Sequence, residues 1–147
     1  MTKTTGAHLF VQALEQQGVE HVFTVAGDHT LAILDALSDT KIKVWDTRHE
    51  AAAVHMAEGY ARASGKPAVS MYTTPGHANA IPGLAHAWHG EVPIISISGC
   101  AEFSTLGKGA QQELDQIGMA KSLPKAPRKI FMGLSKPTHT PQVTRFV

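Results

Sequence analysis

Cysteine is nearly absent from this sequence: Cys100 stands alone, so no disulfide framework can hold the chain together. An excess of charge of either sign is missing too. Thirteen basic and twelve acidic residues leave a formal net charge of +1, with no broad field to gather nucleic acid or an anionic membrane surface. The single basic cluster, "KSLPKAPRK" at 121 to 129, reads as a solvated loop. Nine histidines show no HxxxH spacing, and no CxxC occurs, so no metal site is expected from spacing. No apolar run approaches the ~20 residues that span a bilayer. The start, "MTKTTGAHLF", has no apolar segment of the secretory type. The expectation is a cytoplasmic protein with neither a membrane nor a nucleic acid as partner.

What is present is alternation. "VEHVFTV" (19 to 25), "KIKVWDT" (41 to 47), "PAVSMYT" (67 to 73) and "VPIISIS" (92 to 98) are β-branched runs bounded by Gly, Pro or polar residues, and "PRKIFM" (127 to 132) is a weaker fifth strand. Helical patterns separate them. Leu9, Phe10, Ala13 and Leu14 form an apolar stripe with Gly18 beyond it as a C-terminal cap. "TLAILDALSD", "HEAAAVHMAEGYARA", residues 78 to 88 and "QQELDQIGMAKSL" supply four more helices. Repeated strand–helix–strand units imply right-handed crossovers and a mainly parallel sheet with helices on both faces, the doubly wound α/β class. Ligands bind such sheets at the carboxyl ends of the strands. Three loops there carry the interest: "VAGDHT", "DTRHE" and "TTPGHAN".

One carboxylate is oddly placed. On a helical wheel at ~100° per residue, His55, Glu58 and Arg62 share a polar face, with Glu58 and Arg62 spaced for a solvent-facing pair. Glu50 falls instead among Ala53, Val54, Ala57, Tyr60 and Ala61, on the face that packs inward. The first helical turn favours a carboxylate, but burial is costly unless a polar partner is present. Two readings stand side by side at this point. Glu50 caps its own helix or pairs with a core lysine or histidine, or else it faces a ligand.

The ordered segments "GVEHVFTVAGDH", "DTRHEAAAVHMAEGYARASGKPAV", "TTPGHANAIPGLAHAW", "VPIISISG" and "QQELDQIGMAKSLPK" resemble the N-terminal, pyrimidine-binding domain of thiamine-diphosphate enzymes, in the acetolactate synthase and benzaldehyde lyase branch. The likeness runs from about residue 5 to about residue 130 and is most specific at RHE followed by the A-x-GYAR helix. It implies that Glu50 is the catalytic glutamate, bonded to N1′ of the cofactor's aminopyrimidine and promoting formation of the thiazolium ylid. It also implies that Pro75, Gly76 and Asn79 match a GPG-x-x-N loop against the pyrimidine, with Thr74 in place of that loop's leading glycine. Gly27 matches the glycine of a PG turn whose proline is Ala26 here. His29 and either Gln111 or Gln112 correspond to substrate-pocket positions, and no metal ligand is assigned.

The family's second half-site, a GDG motif that holds magnesium and diphosphate, does not occur in these residues; "GDH" at 27 to 29 lacks its context. The stretch "FMGLSKPTHTPQVTRFV" stops matching, so residues 1–130 are read as the pyrimidine-binding domain and 131–147 as a divergent, poorly ordered tail without the domain's last strand and helix. The resemblance thus implies half of a lyase or synthase acting on 2-oxo acids or acyloins. Its magnesium ion would come from a second domain or a partner chain, and a homo-oligomer or such a partner is expected. The alternative is a catalytically inactive fragment or a binding module docking onto an intact relative. A flavodoxin-like nucleotide binder is disfavoured, because no Gly-rich phosphate loop follows the first strand.

Overall fold

The structure, a computed structural model, describes residues 4–121, 123, 131–135 and 143–146. In chain order the elements are α1 (Gly6–Gln16), β1 (His21–Thr24), α2 (Leu31–Ser38), β2 (Lys43–Asp46), α3 (Glu50–Ser64), β3 (Ala68–Tyr72), α4 (Thr74–His89), β4 (Ile94–Cys100), α5 (Gln116–Lys121), β5 (Phe131–Ser135) and β6 (Val143–Phe146), with a short 3-10 turn at Phe103–Thr105. The strands form one sheet in the order β2-β1-β3-β4-β5-β6. Every pairing is parallel except β5 with β6.

Helices cover both faces. Val11 and Leu14 of α1 and Ile33, Ala36 and Leu37 of α2 pack on Val22, Val69, Met71 and Ile97. On the other face Ala53, Val54, Ala57 and Ala61 of α3 join Ala80, Leu84 and Ala87 of α4 over Phe23, Ala68 and Tyr72. Strand β3, with all five residues buried, is the centre; β2, with all four exposed, is a bare edge. This is the doubly wound class, and its cause is legible in the chain: short β-branched strands, each followed by an amphipathic helix.

Several local expectations change. The buried stripe of α1 is Val11 and Leu14 with Phe10 beside them, whereas Leu9 is 57% exposed. Helix α4 begins at Thr74, so "TTPG" is its first turn rather than a loop; Pro75 fits there because the first-turn N–H groups have no intrahelical partner anyway. Helix α5 starts only at Gln116, leaving Gln111 and Gln112 in a turn, with Gln112 in the left-handed region at φ 62°. Of the expected strand 127 to 132, residues 127–130 lie outside the described residues, as does most of the basic cluster, and β5 runs on to Ser135. The stretch expected as a divergent tail supplies the backbone of β5 and β6, so the sheet continues two strands past β4.

Glu58 is the largest departure. It is not a solvent-facing partner of Arg62 but only 3% exposed, because its face of α3 turns toward α4. Those two helices run parallel and in step. Asn79 reaches Glu50, Gly83 lies on Val54, His86 meets Glu58, and Gly90 lies under Arg62. At Gly83 a Cβ would stand 2.9 Å from Val54 Cβ and 3.2 Å from the Ala51 carbonyl oxygen, so only glycine lets the helices approach this closely.

Two glycine-to-alanine changes separate packing from propensity. In α3, a Cβ at Gly59 meets nothing within 4 Å, so Gly59→Ala should stabilise by about 0.5–1 kcal/mol through helix propensity. Gly83→Ala gains the same propensity but overpacks the seam at a cost of about 1–3 kcal/mol, and should be net destabilising. Urea denaturation midpoints read both signs. A Gly83→Ala protein as stable as Gly59→Ala would mean that the helices do not touch there.

Candidate functional site

In a sheet of order 2-1-3-4 the chain leaves β1 toward one edge and β3 toward the other, opening a crevice beyond their carboxyl ends. Threonines hold that end together. Thr24 Oγ1 donates to the Met71 carbonyl at 2.8 Å, Thr47 Oγ1 to the Thr24 carbonyl at 3.1 Å, and Thr74 Oγ1 to the Gly99 carbonyl at 2.8 Å. The loop after β1 is closed by Thr30, whose hydroxyl donates to the Gly27 carbonyl at 2.9 Å. Gly27 itself lies on the Thr73 side chain, where a Cβ would be 2.3 Å from Cγ2. Gly27 therefore serves close packing of two loops at the switch point.

Glu50 is the first residue of α3, with His49 as the N-cap accepting from the Ala51 N–H at 3.2 Å. The cap is thus His49, and the Glu50 carboxylate is left for other work. It is half-buried. Asn79 Nδ2 donates to its Oε2 at 3.0 Å, while Oε1 accepts no hydrogen bond among the described residues. Across from it the backbone of α4 comes so near that a Cβ on Gly76 would lie 2.7 Å from Oε1 and 2.9 Å from Cγ. Pro75 occupies the first turn of α4 beside this contact. Glu50, Gly76 and Asn79 form one unit, made where the amino ends of two parallel helices meet. Thr74 does not disturb that unit, because its backbone is already helical and the close approach is at Gly76. Instead Thr74 is fully buried and ties α4 to the end of β4.

His29 sits further along the same rim. Its ring lies against Gly99, where a Cβ would be 2.2 Å from His29 Cβ, and its Nδ1 is 3.4 Å from Thr74 Oγ1. An open cleft of about 170 Å³ gathers Asp28, His29, Glu102, Gln111 and Gln112. The pocket candidates are therefore brought together, in a cleft whose lining does not include Glu50. Gln116 was not singled out from the sequence, yet its Nε2 donates to the Gly99 carbonyl at 2.7 Å and also to Ser98 Oγ. Its signal was weak, since a third glutamine near a helix start has no distinctive spacing.

The interior beneath the rim is electrically quiet. Burial pushes the Tyr72 hydroxyl up to about 12, and it shares a hydrogen bond with Ser96. Burial also lowers His77, whose two ring nitrogens have no hydrogen-bond partner among the described residues, so it stays neutral. Around Glu58, burial raises the carboxyl, but hydrogen bonds from His86 and Arg62 outweigh it and hold the group below its ordinary value. Half-exposed His55 stands over the same carboxylate, its Nδ1 3.7 Å from Oε2. Tertiary contact, not spacing along the chain, assembles this trio of His55, Glu58 and His86.

Residues 4–119 match the family model described as "Thiamine pyrophosphate enzyme, N-terminal TPP binding domain". Among curated relatives, the acetolactate synthase large subunit of Buchnera aphidicola (from Acyrthosiphon pisum) is 42% identical over 123 residues, 82% of this chain and 22% of the relative. The Haemophilus influenzae large subunit is 42% identical over 127 residues, 85% of this chain and 22% of its own length. The probable large subunit of Methanocaldococcus jannaschii is 36% identical over 141 residues, 95% of this chain and 23% of that protein, so this likeness reaches past residue 130. The chain spans about a fifth of the length of the curated relatives it matches. With the doubly wound sheet and these matches in agreement, the chain belongs to the thiamine pyrophosphate enzymes, in their N-terminal TPP-binding domain family.

Proposed function

We propose that this chain supplies the aminopyrimidine half-site for thiamine diphosphate, within a lyase or synthase acting on 2-oxo acids or acyloins. Residues 1–130 form the bulk of that domain, and 131–147, which carry β5 and β6, a divergent continuation of it. The observation that carries the reading is the Glu50 carboxylate, propped on one oxygen by Asn79 and open on the other, at the carboxyl end of a doubly wound sheet. The fit is chemical as well as positional. Gly76, bare of a side chain, lets α4 lie against the half-buried Glu50 carboxylate, whose second oxygen is left to meet a nitrogen-bearing ring.

Bound thiamine diphosphate supplies a carbon nucleophile from its thiazolium ring. The residues of this chain do the rest of the half-site's work. With the cofactor bound, Glu50 would hold a proton at N1′ of the aminopyrimidine and would thereby promote loss of the thiazolium proton. Asn79 fixes the carboxylate rotamer, Gly76 with Pro75 keeps α4 close, and Gly27 lets the β1 loop settle over the switch point. His29, Gln111 and Gln112 line the neighbouring cleft as substrate contacts. Diphosphate and magnesium are held by a second domain or a partner chain, since no GDG motif occurs in these residues. Cytoplasmic placement is part of the same reading; no helix among the described residues is long and apolar enough to cross a membrane.

A second reading, a module that docks on another chain without itself taking part in catalysis, is favoured by one observation. Phe103, Leu106, Leu114 and Ile117 are each at least 40% exposed along the segment after β4. Isolated surface apolar residues need no explanation, but four within fifteen positions concentrate apolar exposure in one segment of the chain.

Three outcomes are expected. Thiamine diphosphate with magnesium should shift the amide signals around Glu50, Gly76 and Asn79, and Glu50→Ala should weaken this binding at least about tenfold, or about 1.4 kcal/mol. A titration with the same affinity in Glu50→Ala would refute the half-site. The 147 residues by themselves should neither decarboxylate pyruvate nor form acyloins in an assay freed of contaminating enzymes. Sedimentation should show self-association rising with concentration, driven by the bare β2 edge, where Val44 and Trp45 are exposed, and by the apolar face after β4. A single monomer across a wide concentration range would count against both surfaces.

A further inference from the structure

At the far end of the α3–α4 seam from Glu50, two imidazoles and a carboxylate converge with no role in the half-site. We propose that His55, Glu58 and His86 form a binding site for one divalent transition ion of the zinc type.

The donors come from two helices. His55 and Glu58 are one turn apart on α3, and His86 faces them from α4, one turn before the Gly90 cap. One ligand atom from each of the three lies within 4.8 Å of the others. The two oxygens of Glu58 have different tasks. Oε1 takes Arg62 Nε at 2.9 Å and Nη2 at 2.7 Å. Oε2 faces the imidazoles, 2.7 Å from His86 Nδ1 and 3.7 Å from His55 Nδ1.

Arg62 acts as the outer support that metal-bound carboxylates usually have. Its own place is set by Gly90, where a Cβ would be 2.0 Å from Nη2. The arginine's charge opposes a nearby cation, but it is half exposed and already paired with Oε1, so solvent screens it and the carboxylate offsets it. The carboxylate is held rigid by burial, with 4% of its side chain exposed, whereas His55 and His86 are at 50% and 65%. Both rings can therefore turn to the about 3.3 Å that bonds of about 2.0–2.1 Å to a tetrahedral ion require, His55 closing from 3.7 Å and His86 opening from 2.7 Å to Oε2. Their exposure also leaves the fourth position to water.

Two imidazoles with one carboxylate select zinc, cobalt, nickel or copper over magnesium or calcium, which prefer all-oxygen shells. Binding exchanges one bond for others without redox change. The hydrogen bond that His86 Nδ1–H donates to Oε2 is given up, and that proton passes through solvent to Nε2, or leaves to solvent where Nε2 already carries one. His55 holds its proton on Nε2, and the two freed Nδ1 lone pairs and Oε2 turn to the ion. A second proton on the His55 ring likewise goes to solvent. The bound ion then bridges α3 and α4.

The full chain, free of tags and chelators, tests this by calorimetric titration with zinc and by the visible spectrum of added cobalt. One zinc per chain is expected at micromolar concentration, with cobalt bands intense enough for a four- or five-coordinate site. His55→Ala and His86→Ala should each weaken zinc at least about tenfold and abolish the cobalt bands. His89→Ala, one turn on in the same helix, should change neither. Zinc uptake unchanged in the double variant His55→Ala/His86→Ala would overturn the proposal, as would no uptake by the parent chain.

Discussion

The close parallel contact of α3 and α4 is the constraint on which the rest of the molecule depends. Gly83 removes the side chain that would hold the helices apart, and Val54 fills the space it leaves. With the axes that near, Asn79 falls opposite Glu50 and His86 opposite Glu58, about a full turn to either side of the glycine. A wider spacing would break both hydrogen bonds at once. The polar groups at the two ends of the seam are thus placed by a van der Waals contact at its middle, which is how interiors packed to crystal density transmit position.

The same seam explains why two helix amino ends meet at the crevice. Parallel strands β2 and β3 hand their chains to helices that start at the same level, and the positive ends of both dipoles face one place. A carboxylate is favoured there and finds little other compensation, since the nearby Tyr72 and His77 stay neutral. Glu50 sits in that field with one oxygen bonded to Asn79 and keeps the other available. The ties made by Thr24, Thr47 and Thr74 join the strand ends into a floor under it, so the loops above are positioned by the sheet.

Much of this was open to a reader of the sequence alone. Glu50 stood out because a carboxylate on an alanine-rich inner face breaks the helical pattern, and the β-branched runs marked four strands near their observed places. Glu58 was misread for a physical reason. A helical wheel describes one helix against an undefined inside, and a polar face that turns toward a neighbouring helix looks the same as one turned to water. The partner that makes burial tolerable, His86, is 28 positions away on α4. The start of α4 was misplaced because Pro75 and Gly76 are turn residues by composition, yet proline is well suited to a first helical turn and this glycine is there for clearance. Gln116 and Thr74 carry no signal of their own in the sequence, because both donate to the Gly99 carbonyl at the end of β4, and a carbonyl leaves no trace in a residue code.

The step-for-step alignment of α3 with α4 has a consequence for length rather than identity. Four contacts fall every four residues on α3 and every three or four on α4, from Glu50 with Asn79 to Arg62 with Gly90. One residue inserted or deleted within either segment would rotate everything after it by about 100° around the helix axis. Every later contact on that helix would be lost together. Homologous chains can therefore exchange side chains along this pair of helices but not gain or lose a position.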